Sequence, residues 1–96
     1  MKKTIAEWRI EIDELDRRLV ELLNQRARAA QEIGRLKRHT DMPIYEPERE
    51  RTIFENVGRE NRGPLPAAEL RHIYERIIDV MRKLQKDEIE SKEQGS

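Results

Sequence analysis

An all-α chain of three helices is what this sequence predicts, on three observations. Ala, Glu, Lys, Leu and Arg supply about half of the 96 residues, the proportion expected of long helices or coiled coil. Apolar residues recur in alternating steps of three and four, the helical period. The four prolines fall in two short stretches, 43–47 and 64–66, and divide the chain into a long, a short and a medium segment.

The first segment runs from Ile5 to about His39 with no proline and one glycine, Gly34. Its apolar positions, Ile5, Trp8, Ile12, Leu15, Leu19, Leu22, Ala29, Ile33 and Leu36, form a heptad seam once position 26 is counted, and that position is Arg26. Such a helix spans roughly 50 Å. A compact chain of this size has a radius of gyration of about 13 Å, so its own remaining residues cannot wrap it. Thr40 to Tyr45 reads as a loop. A second helix opens near Pro47, which suits a first turn, and fades around Asn61. A third follows from about Pro66 to Glu90, with Leu70, Ile73, Ile77, Met81 and Leu84 on one face. Residues 1–90 are therefore expected to form one helical domain and 91–96 a frayed polar tail. A first helix too long for its partners predicts a two-fold homodimer of intertwined chains, the long helices paired and the short ones folded back.

Composition removes several function classes. Twenty Lys+Arg balance twenty Asp+Glu, so bulk charge gives no reason to expect nucleic acid or an anionic membrane as partner. Without cysteine there is no disulfide framework and no thiolate nucleophile or ligand. His39 and His72 lie on different segments without metal-site spacing, so no metal is expected, and the only serines, Ser91 and Ser96, sit in the tail. No phosphate-cradling glycine motif is present. With neither leader nor membrane span to be drawn, the default is a soluble cytoplasmic protein.

Charges at core positions carry the functional reading. A guanidinium at the Arg26 seam position must be paired or hydrated, because burying it alone costs several kcal/mol. It is either a device that fixes register or one side of an anion site. Lys37 lies eleven residues on, close to three turns, on the same face and roughly 16 Å along the axis. Two long side chains leaning together there can hold an anion; a lysine at a helix C-terminus also suits the dipole. Arg9, roughly 25 Å before Arg26, reaches that site only from a second copy, and is otherwise a surface arginine. Arg49 and Glu50 fall in the first turn of the second helix, just after Glu46. Gln85 follows Met81 by one turn, beside the apolar stripe of the third helix, and needs hydrogen-bond partners.

In order along the chain, these residues resemble the small all-α class of chorismate mutases, including those fused to prephenate dehydratase or to the first enzyme of the shikimate pathway. The resemblance spans roughly Ala6 to Gln85. It rests on Arg9, Ile12-Asp13-Glu14-Leu15-Asp16, Leu22-Leu23-Asn24-Gln25-Arg26, Glu32-Ile33-Gly34-Arg35-Leu36-Lys37, Pro43-Ile44-Tyr45-Glu46-Pro47-Glu48-Arg49-Glu50 and Gln85. It implies an intertwined dimer whose sites rearrange chorismate to prephenate without a cofactor. Arg26 and the partner's Arg9 would bind the two carboxylates, and Lys37 and Gln85 would donate to the ether oxygen. Glu50, with the backbone at Glu46, would hold the ring hydroxyl, and Arg49 would support the network. Two positions depart from the pattern: Glu46 stands where Asp is frequent, and Met81 stands where a small or hydroxylated residue often lines the site, which is expected to narrow the pocket. The alternatives are an isochorismate-pyruvate lyase on the same fold, against which Glu50 speaks, and a non-enzymatic helical dimerisation module. Association or fusion with another shikimate-pathway enzyme is a further implication.

Overall fold

The computed structural model describes residues 2–95, with side chains described as far as Glu90. Three helices follow one another, α1 (Ile5–Lys37), α2 (Pro47–Glu60) and α3 (Ala67–Gly95), and the described residues contain no strand. α3 runs past the Glu90 boundary expected from composition. The side chains of the expected tail, 91–96, lie outside the described residues.

Each boundary has a local cause. α1 opens on a capping box: Glu7 N–H donates to Thr4 Oγ1 at 3.1 Å and the Glu7 carboxylate accepts from Thr4 N–H at 3.3 Å. Such a cap contributes about 1 kcal/mol. α1 closes through tightened turns, His39 N–H to Leu36 O and Thr40 N–H to Lys37 O, with Arg35 and Lys37 facing its negative dipole end. Pro47 begins α2 as its fixed φ favours. Past α2, the Asn61 amide donates to Leu65 O at 2.9 Å and closes the turn into α3.

α3 packs along the C-terminal half of α1, and the pairings advance together along both helices, Gly34 against Gln85 and Arg38 against Glu88. Ala30 and Gly34 face Ile78 and Met81 in a small buried core. The buried line of α3 thus passes through Ile78, not Ile77. The apolar stripe read from sequence falls on the correct half of the helix, but its outer member Ile73 is 48% exposed. The reason is that α3 carries apolar residues over more than one face and only one of them meets α1. Glu88 staples the two helices, accepting from Arg38 at 2.8 Å and from Arg35 at 3.3 Å.

The rest of α1 projects. Ile5, Ile12, Leu15, Leu19 and Leu22 are 48–71% exposed, and Trp8 is half exposed beneath Lys3 rather than packed in a core. The radius of gyration, 17.3 Å, exceeds that of a compact chain, and the molecule measures 61 × 28 × 15 Å. No described helix is long and apolar enough to cross a membrane.

The α1–α3 approach is closest at Gly34. A methyl group there would stand 3.0 Å from Gln85 Cα and 3.1 Å from Gln85 O, which are backbone atoms that cannot swing aside. Alanine ordinarily stabilises a helix interior by about 1 kcal/mol over glycine. Overpacking costs about 1–3 kcal/mol, so the clash wins. Gly34→Ala is expected to lower the unfolding free energy by about 1 kcal/mol, measured by urea denaturation. An increase would show that the helices part without strain.

Candidate functional site

Where α1, the 38–46 connection, α2 and α3 converge, they enclose a cavity of about 570 Å³. That lies within the range of small-molecule sites. Its apolar lining includes Ala30, Ile33, Ile53, Ile78 and Met81. Around it stand seven of the eight residues singled out from sequence: Arg26 and Lys37 from α1, Glu46 before α2, Arg49 and Glu50 from its first turn, and Met81 and Gln85 from α3. Arg9 is exposed and does not line it. Met81 is 6% exposed and lines the cavity.

Lys37 is the centre of the arrangement. Its side chain is 2% exposed, and its ammonium donates to Gln85 Oε1 at 2.9 Å, to Glu46 Oε2 at 3.2 Å and to Ile44 O at 3.4 Å. An ammonium has three protons, and here three oxygens from two segments of the chain receive them. Gln85 gives its oxygen to Lys37, which leaves its NH₂ to donate. The Glu46 contact is made by the carboxylate, whereas the resemblance implied a role for the backbone. Glu46 stands at the N-cap of α2 yet makes no side-chain cap bond, because its carboxylate is turned to Lys37.

The remaining cations are unlike Lys37. Among the described residues, neither Arg26 nor Arg49 has an ion-pair or hydrogen-bonded partner. Arg26 is half-buried against the cavity. Arg82, which the sequence reading passed over, also lines it and lies 3.1 Å from Glu50 Oε2. A signal for it existed: residues 78, 82 and 85 are spaced i, i+4, i+7, so an arginine stands on the inward stripe of α3 just as Arg26 stands on the seam of α1. Four basic side chains face two carboxylates, Glu46 and Glu50, around one cavity. Such a surplus suits an anionic guest.

Fold and site define a class: a small all-α protein whose helices frame a cation-lined cavity of small-molecule size. A sequence profile described as chorismate mutase type II matches residues 8–86, and the chain belongs to that family. It is 43% identical over 86 residues to a bifunctional chorismate mutase/prephenate dehydratase of Aquifex aeolicus, a match that covers 85% of this chain and 24% of that protein. A chorismate mutase of Methanocaldococcus jannaschii is 32% identical over 59 residues, 62% of this chain and 60% of that one. Among solved structures, a form II chorismate mutase of Thermus thermophilus superposes with a TM-score of 0.84 at 33% identity, covering 88% of this chain and 96% of that chain. A chorismate mutase of Helicobacter pylori, in complex with prephenate, does so with a TM-score of 0.81 at 30% identity, covering 90% and 93%. The chain spans about a quarter of the length of the bifunctional relatives it matches.

Burial of Lys37 has a consequence for stability. Lys37 is the donor shared by Gln85 Oε1, Glu46 Oε2 and Ile44 O, and removing one partner of a buried polar cluster leaves the others uncompensated. Lys37→Met is therefore expected to lower the unfolding free energy by about 3 kcal/mol. A loss below about 1 kcal/mol in thermal or urea unfolding would show that water replaces the ammonium at those oxygens.

Proposed function

We propose that this chain is a chorismate mutase, converting chorismate to prephenate, and that it works as a homodimer with two sites. The observation that carries the reading is the pair of unpartnered arginines, Arg26 and Arg49, on a cavity whose basic side chains outnumber its acidic ones by four to two. The prephenate held by the Helicobacter pylori relative supports the substrate class.

The reaction is a unimolecular rearrangement in which one C–O bond breaks as one C–C bond forms. It requires a compact conformer of a flexible dianion and stabilisation of the negative charge that grows on the ether oxygen. Arg26, together with Arg9 of a second copy, holds the two carboxylates and thereby the conformer. Lys37 turns one proton from its longest contact, Ile44 O at 3.4 Å, to the ether oxygen, and the free NH₂ of Gln85 donates beside it. Both act more strongly on the transition state than on the ground state. Glu50 accepts from the ring hydroxyl, Arg49 supports the network, and the Glu46 carboxylate keeps the Lys37 ammonium in place. A second copy is called for twice. The exposed seam of α1 needs an apolar cover, and Arg9 lies outside the cavity of its own chain. Relatives joined to prephenate dehydratase support a further association with an enzyme that consumes prephenate.

The direct test is to add chorismate and follow the loss of its ultraviolet absorbance, with acid conversion of the product to phenylpyruvate. Conversion establishes the activity. A folded dimer inert on chorismate but releasing pyruvate from isochorismate would make it a lyase, and one inert on both a dimerisation module. Lys37→Ala and Gln85→Ala should each lower kcat about a hundredfold or more with the dimer intact, the scale of removing a donor to a developing oxyanion. Undiminished turnover in both would remove those roles. Mixing Arg9→Ala chains with Arg26→Ala chains should restore activity, because one site of each heterodimer regains both arginines. With subunit exchange verified, no recovery would mean that the site is not shared.

A further inference from the structure

We infer that Arg82 is a positioning residue, which holds the Glu50 carboxylate at the cavity and sets the geometry with which Glu50 meets its guest. The inference rests on the mutase reading and adds a residue to it.

Arg82 reaches three segments at once. Its Nε lies 3.1 Å from Glu50 Oε2 of α2, its Nη2 donates to Asp79 Oδ1 of α3 at 2.6 Å, and its guanidinium carbon lies 5.3 Å from the centre of the Tyr45 ring in the loop. Asp79 and Tyr45 thereby fix the plane of the guanidinium from two sides. Its buried Nε–H is not aligned on any acceptor, so the Glu50 contact is an ion pair by proximity and not a directed hydrogen bond. That matters for Glu50. Among the described residues, Arg82 is its only ion-pair partner, with Oε2 the nearest oxygen, and no directed hydrogen bond holds either carboxylate oxygen. The carboxylate therefore keeps acceptor capacity for a guest hydroxyl. The side chain of Glu50 is 17% exposed and that of Arg82 37%, so the carboxylate end of the pair is the less screened and feels the guanidinium beside it.

A staple that merely joins α2 to α3 would also use this pair, and the two roles differ in a measurable way. A staple changes unfolding but not the energetic coupling of Arg82 to Glu50 in turnover. The experiment is a double-mutant cycle on kcat/KM for chorismate, using wild type, Arg82→Gln, Glu50→Gln and the double variant, well below each melting temperature. Arg82→Lys is included as the conservative change, and Arg82→Met takes the place of Arg82→Gln if the latter does not fold. Arg82→Gln is expected to lower kcat/KM about tenfold, chiefly through KM, and to change it less than about twofold in the Glu50→Gln background. Arg82→Lys, which keeps the charge beside Glu50, should recover most of the loss. Equal factors in both backgrounds, or a lower melting temperature with kcat/KM unchanged, would overturn the inference while leaving the mutase reading standing. A wild-type protein that leaves chorismate unchanged overturns both.

Discussion

An ammonium group withdrawn almost wholly from water sits where three parts of the chain meet, and much of the local structure follows from its need for oxygen ligands. Desolvating Lys37 costs several kcal/mol, which only close oxygens can offset. They come from Ile44 and Glu46 in the connection to α2 and from Gln85 on α3. The connection must therefore fold back over the end of α1, which delivers Arg49 and Glu50 to the cavity as the next turn of chain. α3 must approach α1 closely, which Gly34 permits one turn before Lys37. The Glu88 staple to Arg35 and Arg38 then locks the two helices one turn beyond Gln85. One buried cation thus explains the path of the loop, the glycine and the register of α3.

Periodicity and helical arithmetic carried the sequence reading a long way. The first proline stretch ends where α2 begins, at Pro47, the second follows four residues after α2 ends at Glu60, and the eleven-residue interval between Arg26 and Lys37 places both on one cavity. What stayed illegible has a common physical origin. A helix pattern says which residues share a face but not which neighbour that face meets. α3 is apolar on more than one side, and only its contact with α1 selects Ile78 over Ile77 as the buried line. Glu46 was legible as an N-terminal acid of α2, where the dipole favours it, but the pull of Lys37 on its carboxylate is a contact between segments. Arg82 has Asp79 three residues before it on its own helix, and its contacts with Tyr45 and Glu50 arise only when the loop and α2 are brought against it.

The polar site also accounts for how little apolar core this chain has. Among the described residues Ala30, Ile78 and Met81 are the buried apolar ones, a core too small to hold three helices against the entropy of ordering them. The contact region that would ordinarily be filled with leucine is instead occupied by Lys37, Gln85 and the cavity beside them. Apolar surface is displaced to the seam of α1, where Ile5, Ile12, Leu15, Leu19 and Leu22 stand open. In the proposed dimer that seam supplies the stability the functional end forgoes, and the same docking carries Arg9 toward the partner's Arg26. Folding and site assembly then become one concentration-dependent event, since a chain without its partner has neither a covered seam nor the second arginine. The split follows from chemistry: Ala30, Ile78 and Met81 line a cavity ringed by four basic side chains, so the apolar core cannot grow there, and the open apolar seam lies toward the other end of α1.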